Sequence, residues 1–477
     1  MVFSSEIFLF IFLPLVLGIY FLLPARVKNL FLLAASLCFY AWGEGFYLWV
    51  MLASISFNYG MGLWLSPENP KAKSPWVLGS AVGVNLGLLV YCKYANFMAG
   101  NLNRVFLFMD RPPVEWAPVH LPIGISFFTF QALSYVLDVR SGKISAQKNP
   151  LDLALYISLF PQLIAGPIVR YSDIAKEITH RHSRLADMSE GSQRFLIGLG
   201  KKMLIANTVA IPVDHIFSLP ADQFSPAVAW FAVICYALQI YFDFSGYSDM
   251  AIGLGRLFGF HFLENFNYPY ISSSITDFWR RWHISLSTWF RDYLYIPLGG
   301  NRKGMRRTGL NLLIVFFLCG LWHGASWTFV IWGLLHGCFL IIERVLRHRV
   351  PFKRPRWFGY LYTLILVLCS WVFFRAESLP EALNFFKVMA GVGSEAPYLT
   401  TLPMLLNREV SVVVLLAVLG ATPLPLRLWQ KWLNPSKHHR PAHLLWGIQT
   451  LAMTMLMFAC WLKLAANTHN PFIYFRF

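Results

Sequence analysis

Long apolar runs alternate with short loops rich in Lys and Arg along the whole chain. The runs cover residues 7–23, 30–42, 46–65, 76–91, 121–139, 197–217, 227–242, 360–374, 410–426 and 444–466, with two more, 310–321 and 327–336, in a central stretch. Each is continuous rather than alternating with period two. Helices are therefore predicted and barrel strands are not: about twenty apolar residues cross a hydrocarbon core of roughly 30 Å as a helix that satisfies its own backbone. The pattern predicts an all-α polytopic integral membrane protein, a single membrane domain over 1–477, with about eleven transmembrane helices whose loops set its orientation. Arg26 and Lys28 follow the first run, so the N-terminus is expected outside and those charges in the cytoplasm. Lys71 and Lys73, Arg140 to Lys148, Arg344 to Arg356, and Arg427 to Arg440 mark the same inner face. The C-terminus is then expected outside as well.

Three segments depart from the simple pattern. Residues 151–169 are apolar but interrupted by Pro161 and Gly166-Pro167, which free backbone groups that only protein or water can shield. A broken or re-entrant helix and a kinked span are both open. Residues 171–202 are the most polar and are expected as a cytoplasmic-face loop or interfacial helix. They include His182 and Asp187 in an HxxxxD spacing, a two-position match in a basic segment with no apolar pocket around it. In residues 239–249, Asp243 and Asp249 interrupt membrane-grade sequence, either at a helix–water boundary or as the wall of a polar cavity.

Composition narrows the class. Only 13% of residues are charged and 57% are hydrophobic, against about 25% charged in soluble domains. The formal charge of +17 is accounted for by basic loops on one membrane face, so nucleic acid is not an expected partner and membrane lipid is. Seven cysteines are scattered without CxxC or Cys/His spacing, so neither zinc nor a disulfide framework is expected.

The candidate chemistry lies between Thr276 and Gly337. A polar block, Thr276-Asp277-Phe278-Trp279-Arg280-Arg281-Trp282-His283, runs on through Arg291-Asp292 to Arg302, and then gives way to apolar sequence containing His323 and His336. A neutral imidazole is buried at modest cost and titrates near working pH. It suits removal of a proton from a hydroxyl that attacks an activated acyl group. A core histidine satisfied by one hydrogen bond is the alternative for each. On one continuous helix at about 100° per residue, His323 and His336 face different ways. Arg280, Arg281, Arg291, Arg302, Arg306 and Arg307 either mark the inner face or bind the phosphates of an acyl donor such as acetyl-CoA.

The segments Trp279-Arg280-Arg281-Trp282-His283-Ile284-Ser285-Leu286, Arg291-Asp292-Tyr293-Leu294-Tyr295-Ile296-Pro297-Leu298-Gly299-Gly300 and Leu321-Trp322-His323-Gly324 together resemble the membrane-bound O-acyltransferase (MBOAT) family, in its bacterial alginate O-acetylation branch. The first and last residues, Met1-Val2-Phe3-Ser4-Ser5 and Phe472-Ile473-Tyr474-Phe475, resemble the same branch. The resemblance implies transmembrane and re-entrant helices around a central tunnel in a bacterial inner membrane. It implies that His323 is the essential catalytic histidine, with His283 and His336 as further site histidines. It implies acetyl-CoA as a cytoplasmic donor substrate rather than a resident cofactor, with Arg280, Arg281, Trp282, Arg291 and Trp322 around it. It implies a periplasmic SGNH-type acetyltransferase as partner, acting with other polysaccharide-modification subunits. Tyr474, if outside, either carries the acyl group to that partner or anchors the chain at the interface. Alginate is the first polymer expected, cellulose next, and peptidoglycan is open. The rival reading is a transporter with His323 and Asp243 as a proton relay, for which the sequence shows no internal repeat.

Overall fold

The computed structural model describes residues 1–69, 74–182, 184–349, 355–392, 400–433 and 442–466. Among them the chain is helical, with no named strand and one isolated bridge between Phe224 and Thr400. A π-helical turn at Phe8–Phe12 leads into α1 (Leu13–Leu22), followed by α2 (Ala25–Glu44), α3 (Tyr47–Leu65), α4 (Pro75–Phe108), α5 (Ile125–Arg140), α6 (Pro150–Ser158), α7 (Phe160–Leu163) and α8 (Tyr171–Thr179). Then come α9 (Leu185–Gly200), α10 (Asn207–Phe217), α11 (Pro226–Leu257), α12 (Ile275–Trp279), α13 (Ile284–Phe290), α14 (Gly304–His323), α15 (Trp327–Arg349) and α16 (Arg356–Arg375). The last are α17 (Leu379–Met389), α18 (Leu402–Leu405), α19 (Arg408–Gly420), α20 (Leu424–Leu433) and α21 (Ala442–Ala466). The chain forms two compact units, Met1–Ser192 with Ala251–Leu263, and Gln193–Met250 with Glu264–Phe477.

In the first unit, α5 is the buried centre: every residue from Phe127 to Val136 is shielded from solvent. Asn58 of α3 and Asn85 of α4 exchange amide hydrogen bonds of 3.0 and 2.8 Å, a polar tie between two apolar helices. The segment containing Pro161 and Gly166 is broken rather than kinked. α6 stops at Ser158, α7 is one short turn, and residues beyond it run without helix to Arg170 while staying buried. Protein therefore covers the freed backbone, as hydrocarbon depth requires. The HxxxxD spacing forms no site. His182 is exposed, and Asp187 accepts from the Arg184 backbone N–H at 3.3 Å at the start of α9.

The second unit is built on a hairpin. α14 and α15 run antiparallel around the turn Gly324-Ala325-Ser326, and their backbones touch. A Cβ at Gly333 would lie 2.2 Å from the Phe316 carbonyl oxygen, and one at Gly320 would lie 2.4 Å from that of Phe329. Only glycine permits this approach, the usual device for close helix pairs in lipid. The helical path of α9 and α10 meets α11 as closely, with Gly198 and Gly246 each facing the other's carbonyl.

Eight helices of the described residues are long and apolar enough to cross a membrane, or nine if the bent pair Arg408–Gly420 and Leu424–Lys431 counts as one span. That is fewer than the eleven expected, for local reasons. Phe8–Leu22 is short, α2 carries Arg26, Lys28 and Glu44 near its ends, and α5 has 16 residues, about 24 Å of rise. The stretch 171–202 is not all loop, since helix runs from Leu185 to Phe217 as one candidate span of 33 residues. Likewise residues 239–249 are the interior of α11, not its boundary.

Candidate functional site

Charge inside the spans is compensated pair by pair. Lys202 Nζ lies 2.7 Å from Asp243 Oδ1, with both side chains almost fully buried. Asp249 takes Lys201 on one oxygen and Arg194 on the other, each at 2.6 Å. Asp243 is therefore half of a buried ion pair rather than a lone carboxylate.

The polar block folds as two short helices and a π turn packed against α14, α15 and α16. α12 starts beside α15, where the Glu343 carboxylate accepts from the Ile275 and Thr276 backbone N–H groups at 2.5 and 3.1 Å and from Thr276 Oγ at 2.9 Å. An anion at a helix start answers its unpaired N–H groups and its dipole. One turn deeper, Trp279 donates Nε1–H to His336 Nδ1 at 3.2 Å. Deeper still, Trp282 packs on Trp371 with centroids 5.1 Å apart, and His283 faces Trp322 at 5.9 Å. The chain then returns through α13 and a π turn, Arg291–Tyr295, to Gly300, whose carbonyl accepts from Asn311 of α14 at 2.9 Å.

Around its innermost point the rings form one series. His283 contacts Trp322, Trp322 contacts His323 at 4.9 Å, His323 contacts Trp332 at 5.0 Å and Phe374 at 5.2 Å, and Trp332 contacts His336 at 5.0 Å. The hairpin thus brings His323 and His336 against one indole, which a single continuous helix would not do. The three histidines are held differently. His336 is fully buried, and both its nitrogens are used, Nδ1 by Trp279 and Nε2 by Ser370 Oγ at 3.1 Å. It ties α12, α15 and α16 together. His283 is fully buried, and Nδ1 meets Asn265 Oδ1 at 3.2 Å. His323, at the end of α14, keeps 5% of its surface open.

Of the residues expected around a donor, Trp282 lies within a stack of Phe266, Phe278 and Trp371, and Trp322 lies between two histidines. Arg281 is engaged by Asp277 at 2.9 Å and Arg291 by Asp292 at 2.7 Å. Arg280, Arg302, Arg306 and Arg307 are exposed and have no carboxylate partner among the described residues. Tyr474 lies outside the described residues. Sequence reasoning missed Asn265, Ser248, Ser370 and Glu343. The one readable signal was a carboxylate, Glu343, at the end of an apolar run. No group of three or more His, Cys, Asp or Glu able to hold a metal occurs among the described residues.

The family model of the membrane-bound O-acyltransferases, MBOAT, matches residues 117–379, which hold every described member of this site. The chain belongs to the MBOAT family. It is also 43% identical over its whole length, and the whole length of the relative, to the Pseudomonas putida protein named "probable alginate O-acetylase AlgI". It is 36% identical to the peptidoglycan O-acetyltransferase of Helicobacter pylori over all of this chain and 98% of that one. With the teichoic acid D-alanyltransferase of Bacillus subtilis it shares 32% identity over 51% of this chain and 65% of the relative. This MBOAT chain is an O-acyltransferase.

Proposed function

We propose that this O-acyltransferase takes acetyl from cytoplasmic acetyl-CoA and passes it across the bacterial inner membrane for O-acetylation of an exopolysaccharide, alginate first. One observation carries the reading: similarity to a protein named for alginate O-acetylation extends end to end, whereas that to a D-alanyltransferase covers half of this chain. Peptidoglycan is the second candidate, because that O-acetyltransferase is also matched along this whole chain. Cellulose has no counterpart among the relatives described.

In this reading His323 is the general base. It stands at the end of a membrane helix against the rings of Trp322, Trp332 and Phe374, and an imidazole nitrogen that carries no proton can accept one. The acceptor hydroxyl gives its proton to His323 as its oxygen attacks the thioester carbonyl. The CoA thiolate leaves toward the inner face. The exposed arginines Arg280, Arg302, Arg306 and Arg307 hold the donor's phosphates. The acetyl group is handed on outside to a periplasmic SGNH-type transferase, with Tyr474 as the carrier if the tail lies there.

The test uses purified full-length protein and acetyl-CoA labelled in the acetyl group, read as CoA release and acetyl transfer. General-base removal costs about 10²–10⁴-fold in rate, so His323→Ala should fall to near background while remaining folded. Full turnover in that variant would remove His323 from the reaction.

A further inference from the structure

His336 is fully buried, and each ring nitrogen has a partner on a different helix. An indole N–H can only donate, so Trp279 of α12, 3.2 Å from Nδ1, requires a lone pair there. The other end of the ring gives the same answer. The Ser370 hydroxyl donates its one proton to the Val367 carbonyl at 2.8 Å, so its oxygen, 3.1 Å from His336 Nε2, accepts. The ring is therefore neutral and protonated on Nε2, with both nitrogens in use. A second proton would fall on Nδ1, facing another donor, and would break the bond to Trp279. No anion offsets that cost. The helices that meet at His336 are α12, α14, α15 and α16, and they carry two carboxylates, Asp277 and Glu343. Asp277 is taken by Arg281, and Glu343 by the start of α12.

One turn back along α15, Trp332 is fully buried, and among the described residues its indole N–H makes no hydrogen bond. The rings around it therefore set its angle. Three of them belong to the same bridge: His336 at 5.0 Å, Trp279 at 5.9 Å, and Trp371, next to Ser370 on α16, stacked at 6.0 Å. His323 lies against Trp332 with centroids 5.0 Å apart and the planes at 87°. A change in the bridge thus reaches the His323 imidazole through one ring that has no hydrogen bond of its own to hold it.

We propose that His336 is a positioning residue and not a second base: its ring bridges Trp279 to Ser370 and thereby holds Trp332 at the angle that sets the His323 imidazole. His336 touches no substrate and acts through Trp332. The inference rests on the reading of His323 as the general base, so its test carries a separate control for that reading.

The full-length enzyme is assayed with acetyl-CoA for kcat and KM across pH, beside its thermal midpoint in detergent. His336→Phe keeps a ring and removes both bonds. Misplacing a catalytic group by about 1 Å can cost up to about 10²-fold, so folded His336→Phe should lose kcat on that order with KM little changed. His336→Gln offers an amide oxygen to Trp279 and an amide N–H to Ser370, so it should recover most of that loss and keep both limbs of the pH profile. Acid–base chemistry at His336 predicts the opposite: a Gln variant slowed by about 10²–10⁴-fold, no faster than the Phe variant, and lacking a limb. That result overturns the proposal, and so does a folded His336→Phe with wild-type kcat. An unfolded His336→Gln overturns it too, since that variant keeps the bridge. If His336→Phe does not fold, Ser370→Ala, which cuts the bridge at one end, takes its place in the assay. ¹⁵N NMR of histidine-labelled wild-type protein reads the proton directly, with His336 assigned by its loss in His336→Gln. A proton on Nε2 and a bare Nδ1 throughout about pH 5–8 support the proposal, and titration in that range or the reverse tautomer overturns it. His323→Ala separates the two readings. Full turnover there sinks the base, whereas an inactive His323→Ala with a full-speed His336→Phe sinks only the role of His336.

Discussion

Replacing Asp243 by asparagine removes one charge from a pair buried inside the helices and leaves everything else the same size. Lys202 and Asp243 are 3% and 2% exposed and 2.7 Å apart, so neither has water to fall back on. Breaking such a pair from one side strands the other charge and costs about 3–5 kcal/mol. That is a large share of the roughly 5–15 kcal/mol by which a typical domain is stable. The double change Lys202→Met with Asp243→Leu removes both charges and fills their space. Replacements of this kind are often neutral or stabilising by about 1–4 kcal/mol. Thermal unfolding in detergent, followed by tryptophan fluorescence, should therefore show the Asp243→Asn variant melting several degrees below wild type and the double variant near it. A single variant with the wild-type midpoint would refute the pairing. Turnover of acetyl-CoA gives an independent check. If Asp243 is a fixed structural charge, the double variant keeps its acyl transfer. A folded double variant without transfer would return a proton-carrying role to Asp243 and revive the transporter reading.

A further outcome follows from packing. Gly333→Ala should be destabilising by more than the usual ~1–3 kcal/mol of an overpacked core, because its methyl would meet the Phe316 carbonyl at 2.2 Å, while Gly309→Ala, whose methyl finds Ile341 at 3.7 Å, should be tolerated; equal melting points for the two would deny the backbone contact at Gly320 and Gly333.

The membrane class was legible because apolar run length is set by bilayer thickness, and the residues worth singling out were legible because histidine and paired aspartates are rare in membrane-grade sequence. The number of crossings was not. α5 is apolar because protein surrounds it, and hydropathy does not distinguish a core helix from a lipid-facing one. Nor was the length of α9 to α11 visible: Asp243 and Asp249 read equally as a boundary or as the wall of a polar cavity until their partners Lys202 and Lys201, more than forty residues away in the chain, are known. The break at Pro161 was visible because proline acts locally. The hairpin was half visible. The gap between the apolar runs 310–321 and 327–336 was readable, but the meeting of His323 and His336 at Trp332 depends on Gly320 and Gly333 letting two backbones touch, a pairing no single segment contains. Asn265 left no trace at all, since an asparagine in a loop becomes informative only once Ser248, His283 and Ser285 surround it.

The hairpin also sets a reach for the donor. Arg306 and His323 lie on the same helix, seventeen residues and about 25 Å apart along its axis. The basic cluster at Arg302, Arg306 and Arg307 therefore stands at one end of α14 and the His323 imidazole at the other. A donor bound by its phosphates at the basic end must extend most of the helix length to bring its thioester to His323. The polar block spans the same interval, from Glu343 near the basic end to His283 beside Trp322. The proposed transfer from acetyl-CoA to a hydroxyl at His323 would therefore have to bridge most of the length of one candidate membrane helix, which is a requirement the proposed function must meet.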